Sequence, residues 1–431
     1  MNSTPEAGMT AISGPGWQRR YTIVTLCICA VFVCYIDRVN ISVAVIAIQE
    51  EFGWSETTKG WVLSAFFIGY MLLMAPSGWF ANRIGGKFVL GAAVLWWSIF
   101  TILTPAAAYV SLGILIAVRI AMGMGEAAMF PSAYNLYGRW VPAAERSRAV
   151  SLLIGGIPLG TLFALTTTGW IVERFGWPSV FYIFGVTGFF WCIVWYLLAH
   201  DDPATDPKIS PAERDMLIAS TPAARESDTV PWRKLMSTPA VWALIVNHFC
   251  SNWGFYMLLA WLPSYFRGAL GLSIMNAGLF SAAPWLTMFI VGNLGGVVAD
   301  KAVKAGMDLT TLRKCMQITG LIGSALFLLA ARDVQSANVA MGLMCGALGF
   351  LALTWSGFVP NHLDLAPRYA DVLMGITNTA GTVPGIIGVV ITGWLVDTTG
   401  TYTSAFALCA AINFFGALVW LLFASAERVV D

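Results

Sequence analysis

The chain has 431 residues, 58% hydrophobic and 11% charged, with a formal net charge of +1. Soluble globular proteins carry roughly 25% charged residues, and a soluble fold of this length cannot hide so much apolar surface from water, so lipid is the solvent for most of the chain. The near-neutral balance argues against nucleic acid and against a basic membrane-surface patch. The eight cysteines, among them Cys27, Cys29 and Cys34, sit mostly in apolar runs without metal-ligand spacing, so no metal or other cofactor is expected.

Residues 1–20 form a polar tail without the features of a cleavable signal peptide or an Arg- and Ser-rich transit peptide. Crossing ~30 Å of hydrocarbon takes ~20 residues. Apolar runs predict helices at about 21–47, 61–80, 88–109, 112–136, 149–172 and 179–199, a first half of residues 21–199. A polar linker, 200–239, carries Asp201, Asp202, Lys208, Glu213, Arg214 and Arg225 and has room for one surface helix. Runs at about 240–264, 276–299, 312–331, 338–360, 372–395 and 403–424 make a second half, 240–424, followed by a short tail, 425–431. The expected class is an all-α membrane protein of twelve transmembrane helices.

Lys and Arg set the orientation. With both termini cytoplasmic, eighteen of the 24 basic residues fall on the cytoplasmic side and four (Lys59, Arg174, Arg267, Arg332) outside. The halves also repeat. Thr168-Gly169-Trp170-Ile171-Val172-Glu173 ends helix five, and Thr392-Gly393-Trp394-Leu395-Val396-Asp397 ends helix eleven. Gly78-Trp79-Phe80-Ala81-Asn82-Arg83 after helix two is echoed by Gly296-Val297-Val298-Ala299-Asp300-Lys301 after helix eight. Six-helix repeats of this parallel kind describe major facilitators, whose substrates sit between the halves.

Four charges, Asp37, Arg38, Arg119 and Glu126, lie deep in apolar helices. Each costs ~2.5–3.5 kcal/mol to insert, so the default reading is functional, facing a cavity and paired. Seven residues separate Arg119 from Glu126, which places them on one helical face. Counting along helices one and four pairs Asp37 with Arg119 and Arg38 with Glu126. The bland alternative is a static network pinning the two helices, although apolar packing would cost less desolvation. A guanidinium fork suits a substrate carboxylate, and a carboxyl in a low-dielectric cavity can load and unload protons near neutral pH.

Tyr35-Ile36-Asp37-Arg38-Val39-Asn40, Arg119-Ile120-Ala121-Met122-Gly123-Met124-Gly125-Glu126, Glu145-Arg146-Ser147-Arg148, Asn252-Trp253-Gly254-Phe255-Tyr256 and Asn361-His362-Leu363-Asp364-Leu365-Ala366-Pro367 resemble the anion:cation symporter family of the major facilitator superfamily. That family includes bacterial sugar-acid carriers, sialin and vesicular glutamate transporters. The resemblance implies the major facilitator fold, a small organic anion as substrate, protons as the coupling ion, Asp37 and Glu126 as protonation sites and Arg38 in anion binding. Departures at Leu63, Met74, Asn82 and Ser251 leave the substrate at the level of a carboxylate.

Further candidates for the path are Tyr70, Tyr134, Asn135, Asn252, Trp253, Trp355, Ser356 and Asn378, polar or amphipathic groups in cavity-forming helices. Arg83, Lys87, Glu145, Arg146, Arg148, Asp300 and Asp364 form the expected cytoplasmic gating network; His248 reads as a satisfied or interfacial histidine, and His362 with Asp364 as a structural or gating latch. Pro131, Pro158, Pro360 and Pro384 mark bends. The expected activity is proton-coupled symport by a monomer; an exchanger or a potential-driven facilitator is the alternative. No nucleotide-binding loop or hydrolytic constellation argues for an enzyme. A short loop at Gln49–Gly60 points to a microbial plasma membrane.

Overall fold

A computed structural model of the chain describes residues 17–220 and 230–430; Arg225 of the predicted linker lies outside them. The apolar runs become α1 (Arg19–Phe52), α2 (Glu56–Ile84), α3 (Gly86–Val110), α4 (Leu112–Glu126), α5 (Met129–Trp140), α6 (Ala143–Phe175) and α7 (Trp177–Leu198). The linker holds two short helices rather than one, α8 (Pro211–Ser220) and α9 (Trp232–Met236). Then come α10 (Pro239–Gly268), α11 (Ile274–Lys304), α12 (Leu309–Ala330), α13 (Ala337–Leu365), α14 (Ala370–Thr399) and α15 (Thr403–Phe423). Counting α4 and α5 as one crossing gives twelve. Eleven of these are long and apolar enough to cross a membrane by composition alone. The other, α10, is 30 residues long, and its Asn247, His248, Ser251 and Asn252 dilute its hydropathy.

Most helices run beyond their apolar runs, because polar residues at the ends continue the turn into the interface. Helix four breaks instead. Pro131 has no N–H for the carbonyl of Ala127, one turn earlier, and the Ser77 hydroxyl of α2 stands 3.2 Å from that carbonyl. The break leaves Glu126 as the last residue of α4.

The halves pack alike. α1 lies on α6 and α7, α2 on α4, and α3 on α4 and α7; α10 lies on α14 and α15, α11 on α13, and α12 on α13 and α15. Between the halves, α2 meets α14, α6 meets α11 and α1 meets α10. These meetings concentrate at the side away from the basic loops, called outer here. There Lys59 sits 4.9 Å from the Trp261 ring and Arg267 pairs with Glu50 at 3.1 Å. Toward the inner side, Ser151, Ile154 and Pro158 of α6 face Phe255, Trp285, Phe289, Asn293 and Trp355 across a cavity between the halves. The structure is closed outside and parted inside.

Arg19 and Arg20 do not belong to a free tail. Arg19 pairs with Asp206 at 2.7 Å, and Arg20 pairs with Glu145 at 3.0 Å and Glu213 at 3.4 Å, so the linker is strapped to the first half. Burial alone would raise the Asp206 carboxyl, but the Arg19 guanidinium and the Lys208 amide hold it below the ordinary carboxylate range.

Candidate functional site

Two glycines bring α2 against α4. A Cβ at Gly69 would fall 1.8 Å from the Ile120 carbonyl oxygen, and one at Gly123 would fall 2.0 Å from the Phe66 carbonyl oxygen. Only glycine permits that approach. It delivers Phe66 and Tyr70 of α2 to the place where Arg38 of α1 meets Glu126 of α4.

Arg38 is buried, and its Nε donates to Glu126 Oε2 at 2.9 Å, with the Arg38 NH2 group also 2.9 Å from that oxygen. The Cys34 thiol, one turn before Arg38, reaches the same oxygen at 3.1 Å. The guanidinium lies 4.7 Å from the Tyr35 ring, 4.9 Å from Phe66 and 5.0 Å from Tyr70. Aromatic faces attract a cation that has lost its water, so one carboxylate and three rings hold this charge. Glu126 Oε1 is buried without a hydrogen-bond partner. The expected pairing of Arg38 with Glu126 is present.

The expected pair of Asp37 and Arg119 is not. Asp37 Oδ2 accepts from the Trp97 indole of α3 at 3.1 Å, while Oδ1 is unpartnered. Arg119 turns to the Met122 sulfur at 3.0 Å and lies 5.6 Å from the Phe66 ring, its Nε unpartnered. Among the described ion pairs none joins Asp37 to Arg119. Helical register placed the two at one level; it did not show that Trp97 stands at Asp37 with a donor.

The remaining candidates divide. Trp355 lines the inner cavity, and Asn378 donates to the Met74 sulfur at 3.1 Å across the two halves. Asn252 donates to the Gly381 carbonyl at 2.8 Å, joining α10 to α14. Trp253 is buried against Gly388, and Ser356 is buried near Gly295. Asn135 donates to Asn82 at 2.7 Å near the inner ends of α5 and α2, and exposed Tyr134 sits beside it, its ring tilted against Phe130 at 6.1 Å. His362 reaches Thr377 at 2.7 Å and the Val359 carbonyl at 2.8 Å, as a structural histidine does, whereas His248 packs on Phe358 with its Nδ1 buried and unpartnered.

The gating network takes another form. Glu145 binds Arg20, the Arg146 guanidinium lies 3.4 Å from the carbonyls of Gly138 and Val141, and Asp364 pairs with Arg313 at 2.8 Å inside the second half. The Lys87 amide donates to Asp201, which also pairs with Arg139. Arg83 lies over Trp79, and Arg148 and Asp300 are exposed. None of these contacts bridges the halves. Cys34, Phe66, Trp97, Phe255 and Trp285 carry no site signal in the sequence, because an aromatic or thiol in an apolar helix is not separable from packing.

Residues 27–389 match the Major Facilitator Superfamily. A probable anion transporter 4, chloroplastic, of Oryza sativa subsp. japonica is 41% identical over 98% of this chain and 72% of its own. The ascorbate transporter, chloroplastic, of Arabidopsis thaliana is 40% identical over 97% of this chain and 78% of its own. A crystal structure of the D-xylose-proton symporter shares the fold at a TM-score of 0.74 with 17% identity, covering 94% of this chain and 98% of that one. The chloroplastic plant relatives overturn the expectation of a microbial plasma membrane: a short outer loop does not distinguish between membranes. The chain belongs to the Major Facilitator Superfamily, is similar to plant anion transporters, and is a multi-pass membrane transporter.

Proposed function

We propose that the protein is a proton-coupled symporter of a small organic anion, working by alternating access. Arg38 is the anion fork, Arg119 supports it, and Glu126 and Asp37 carry the protons. The observation that carries this reading is the buried Arg38–Glu126 pair at 2.9 Å. While Glu126 is ionised it occupies the fork, so an incoming carboxylate competes with it. Protonating Glu126 frees the fork. Arg119, without a carboxylate partner, adds positive charge beside the same Phe66 ring. The relatives named as an anion transporter and an ascorbate transporter agree with an anionic substrate.

The test is binding. Sugar acids, ascorbate, sialic acid, acidic amino acids, aromatic carboxylates and phosphate are screened by thermal shift, and hits are measured by calorimetry. Arg38→Ala strands Glu126, and breaking a buried pair costs about 3–5 kcal/mol, so the double variant Arg38→Ala/Glu126→Gln is measured beside it. Both are expected to lose binding. If the folded double variant binds a hit as tightly as wild type, Arg38 is not the anion site.

A further inference from the structure

We infer that Glu173 and Asp397 are twin latches of the outer gate, each carboxylate capping the first turn of a helix in the opposite half. They are the acids that end the repeated Thr-Gly-Trp motifs.

Asp397, near the outer end of α14, reaches the start of α2. Its Oδ1 accepts the Glu56 amide at 2.8 Å and its Oδ2 accepts the Thr57 amide at 2.7 Å, with the Thr57 hydroxyl on the same oxygen. Ser55, the residue before α2, takes the next amide itself, that of Thr58. The arrangement repeats across the pseudo-two-fold axis. Glu173, near the outer end of α6, accepts the Met275 amide at 2.9 Å at the start of α11, and Ser273 takes the Asn276 amide. A helix start leaves four amides without partners and carries partial positive charge. Here the helix's own serine satisfies one amide, and the opposite half supplies an anion for those beside it.

One turn before each acid stands a glycine. A Cβ at Gly393 would fall 2.4 Å from the Glu56 carbonyl oxygen, and one at Gly169 would fall 2.6 Å from Met275 Cα. The motif therefore reads as a device: glycine lets the opposite helix touch, and the acid one turn on captures its amide. Both contacts join the halves, and both must break before the outer side opens. Two latches at the two crossings of α2 with α14 and α6 with α11 act on one rigid-body motion, so loosening either loosens both. Glu173 and Asp397 are positioning residues, acting on which face is open rather than on the substrate.

Hydrogen–deuterium exchange on the full chain in lipid nanodiscs, without added anion, tests this. Asp397→Ala is expected to speed exchange about tenfold, the scale of a lost helix cap, in the segment 54–60. It is also expected to speed exchange in 273–278, whose own cap is untouched. Glu173→Ala should do the same in reverse, and Asp397→Asn, which keeps one acceptor oxygen, should fall between Ala and wild type. Circular dichroism and gel filtration report folding; should Asp397→Ala not fold, Glu173→Ala and Asp397→Asn carry the test. Faster exchange confined to the segment whose own cap was removed, or no change in either, overturns the proposal.

Discussion

Arg38 is charged in a place with almost no water, and its neighbours are of two kinds. The three rings are permanent, and a desolvated cation over an aromatic face gains about 0.5–2 kcal/mol per ring. The carboxylate of Glu126 is conditional, because it can be neutralised. In the proposed cycle that difference is what lets the site change state without unfolding. It also makes the planar fork necessary, since an ammonium point charge cannot lie flat on the rings and present two parallel N–H donors. Arg38→Lys is therefore expected to weaken anion binding at least about tenfold, the scale of one lost charge-assisted hydrogen bond, with folding kept. Calorimetry on the best ligand checks this; unchanged affinity would mean that any positive charge suffices. The Arg38–Glu126 contact was legible in the sequence because two charges in apolar helices have few ways to be satisfied. The fate of Asp37 was not, because a tryptophan in a chain with 19 of them announces nothing about where its indole N–H points.

At the scale of the element, α2 and α4 interlock through Gly69 and Gly123, and the interlock sets where Phe66 and Tyr70 stand relative to Arg38. Gly123→Ala would drive a Cβ into the Phe66 backbone, and overpacking of this kind costs about 1–3 kcal/mol. The expected result is a lower melting temperature and weaker anion binding, although residue 123 does not touch the Arg38–Glu126 pair. Unchanged melting would show that the helices separate freely. Helix existence was legible from apolar runs of spanning length. The bend in helix four was legible from Pro131, but not that α4 would end at Glu126 and α5 begin at Met129, because hydropathy continues straight across. The repeat that ends helices five and eleven was legible as a repeat. Its meaning was not, since the partner of each acid is a backbone amide in the other half, and backbone leaves no mark in a sequence.

For the whole molecule, two similarly packed halves meet on the outer side and part on the inner side, with the charged pair inside the first half. The linker is strapped to that half through Arg19, Arg20, Asp206 and Glu213. It can follow one half through the cycle while the other half rocks. The residues of the expected inner gating network make their described contacts within one half, and the inner side is parted. Sequence supplied the charges on that side but not the state in which they would be found. Nor did it fix the membrane: loop length carries no address.

The central claim is that Glu126 and Asp37 are proton carriers rather than fixed struts, and paired transport assays on two neutral mimics test it most directly. Glu126→Gln and Asp37→Asn are reconstituted in liposomes. Proton-gradient-driven uptake and substrate exchange are measured for each and normalised to folded protein. An amide resembles the protonated acid but cannot release a proton. Both variants are therefore expected to lose gradient-driven accumulation while at least one keeps exchange, which needs no net deprotonation. Full gradient-driven accumulation in both variants, or a parallel fall of uptake and exchange in both, would contradict it.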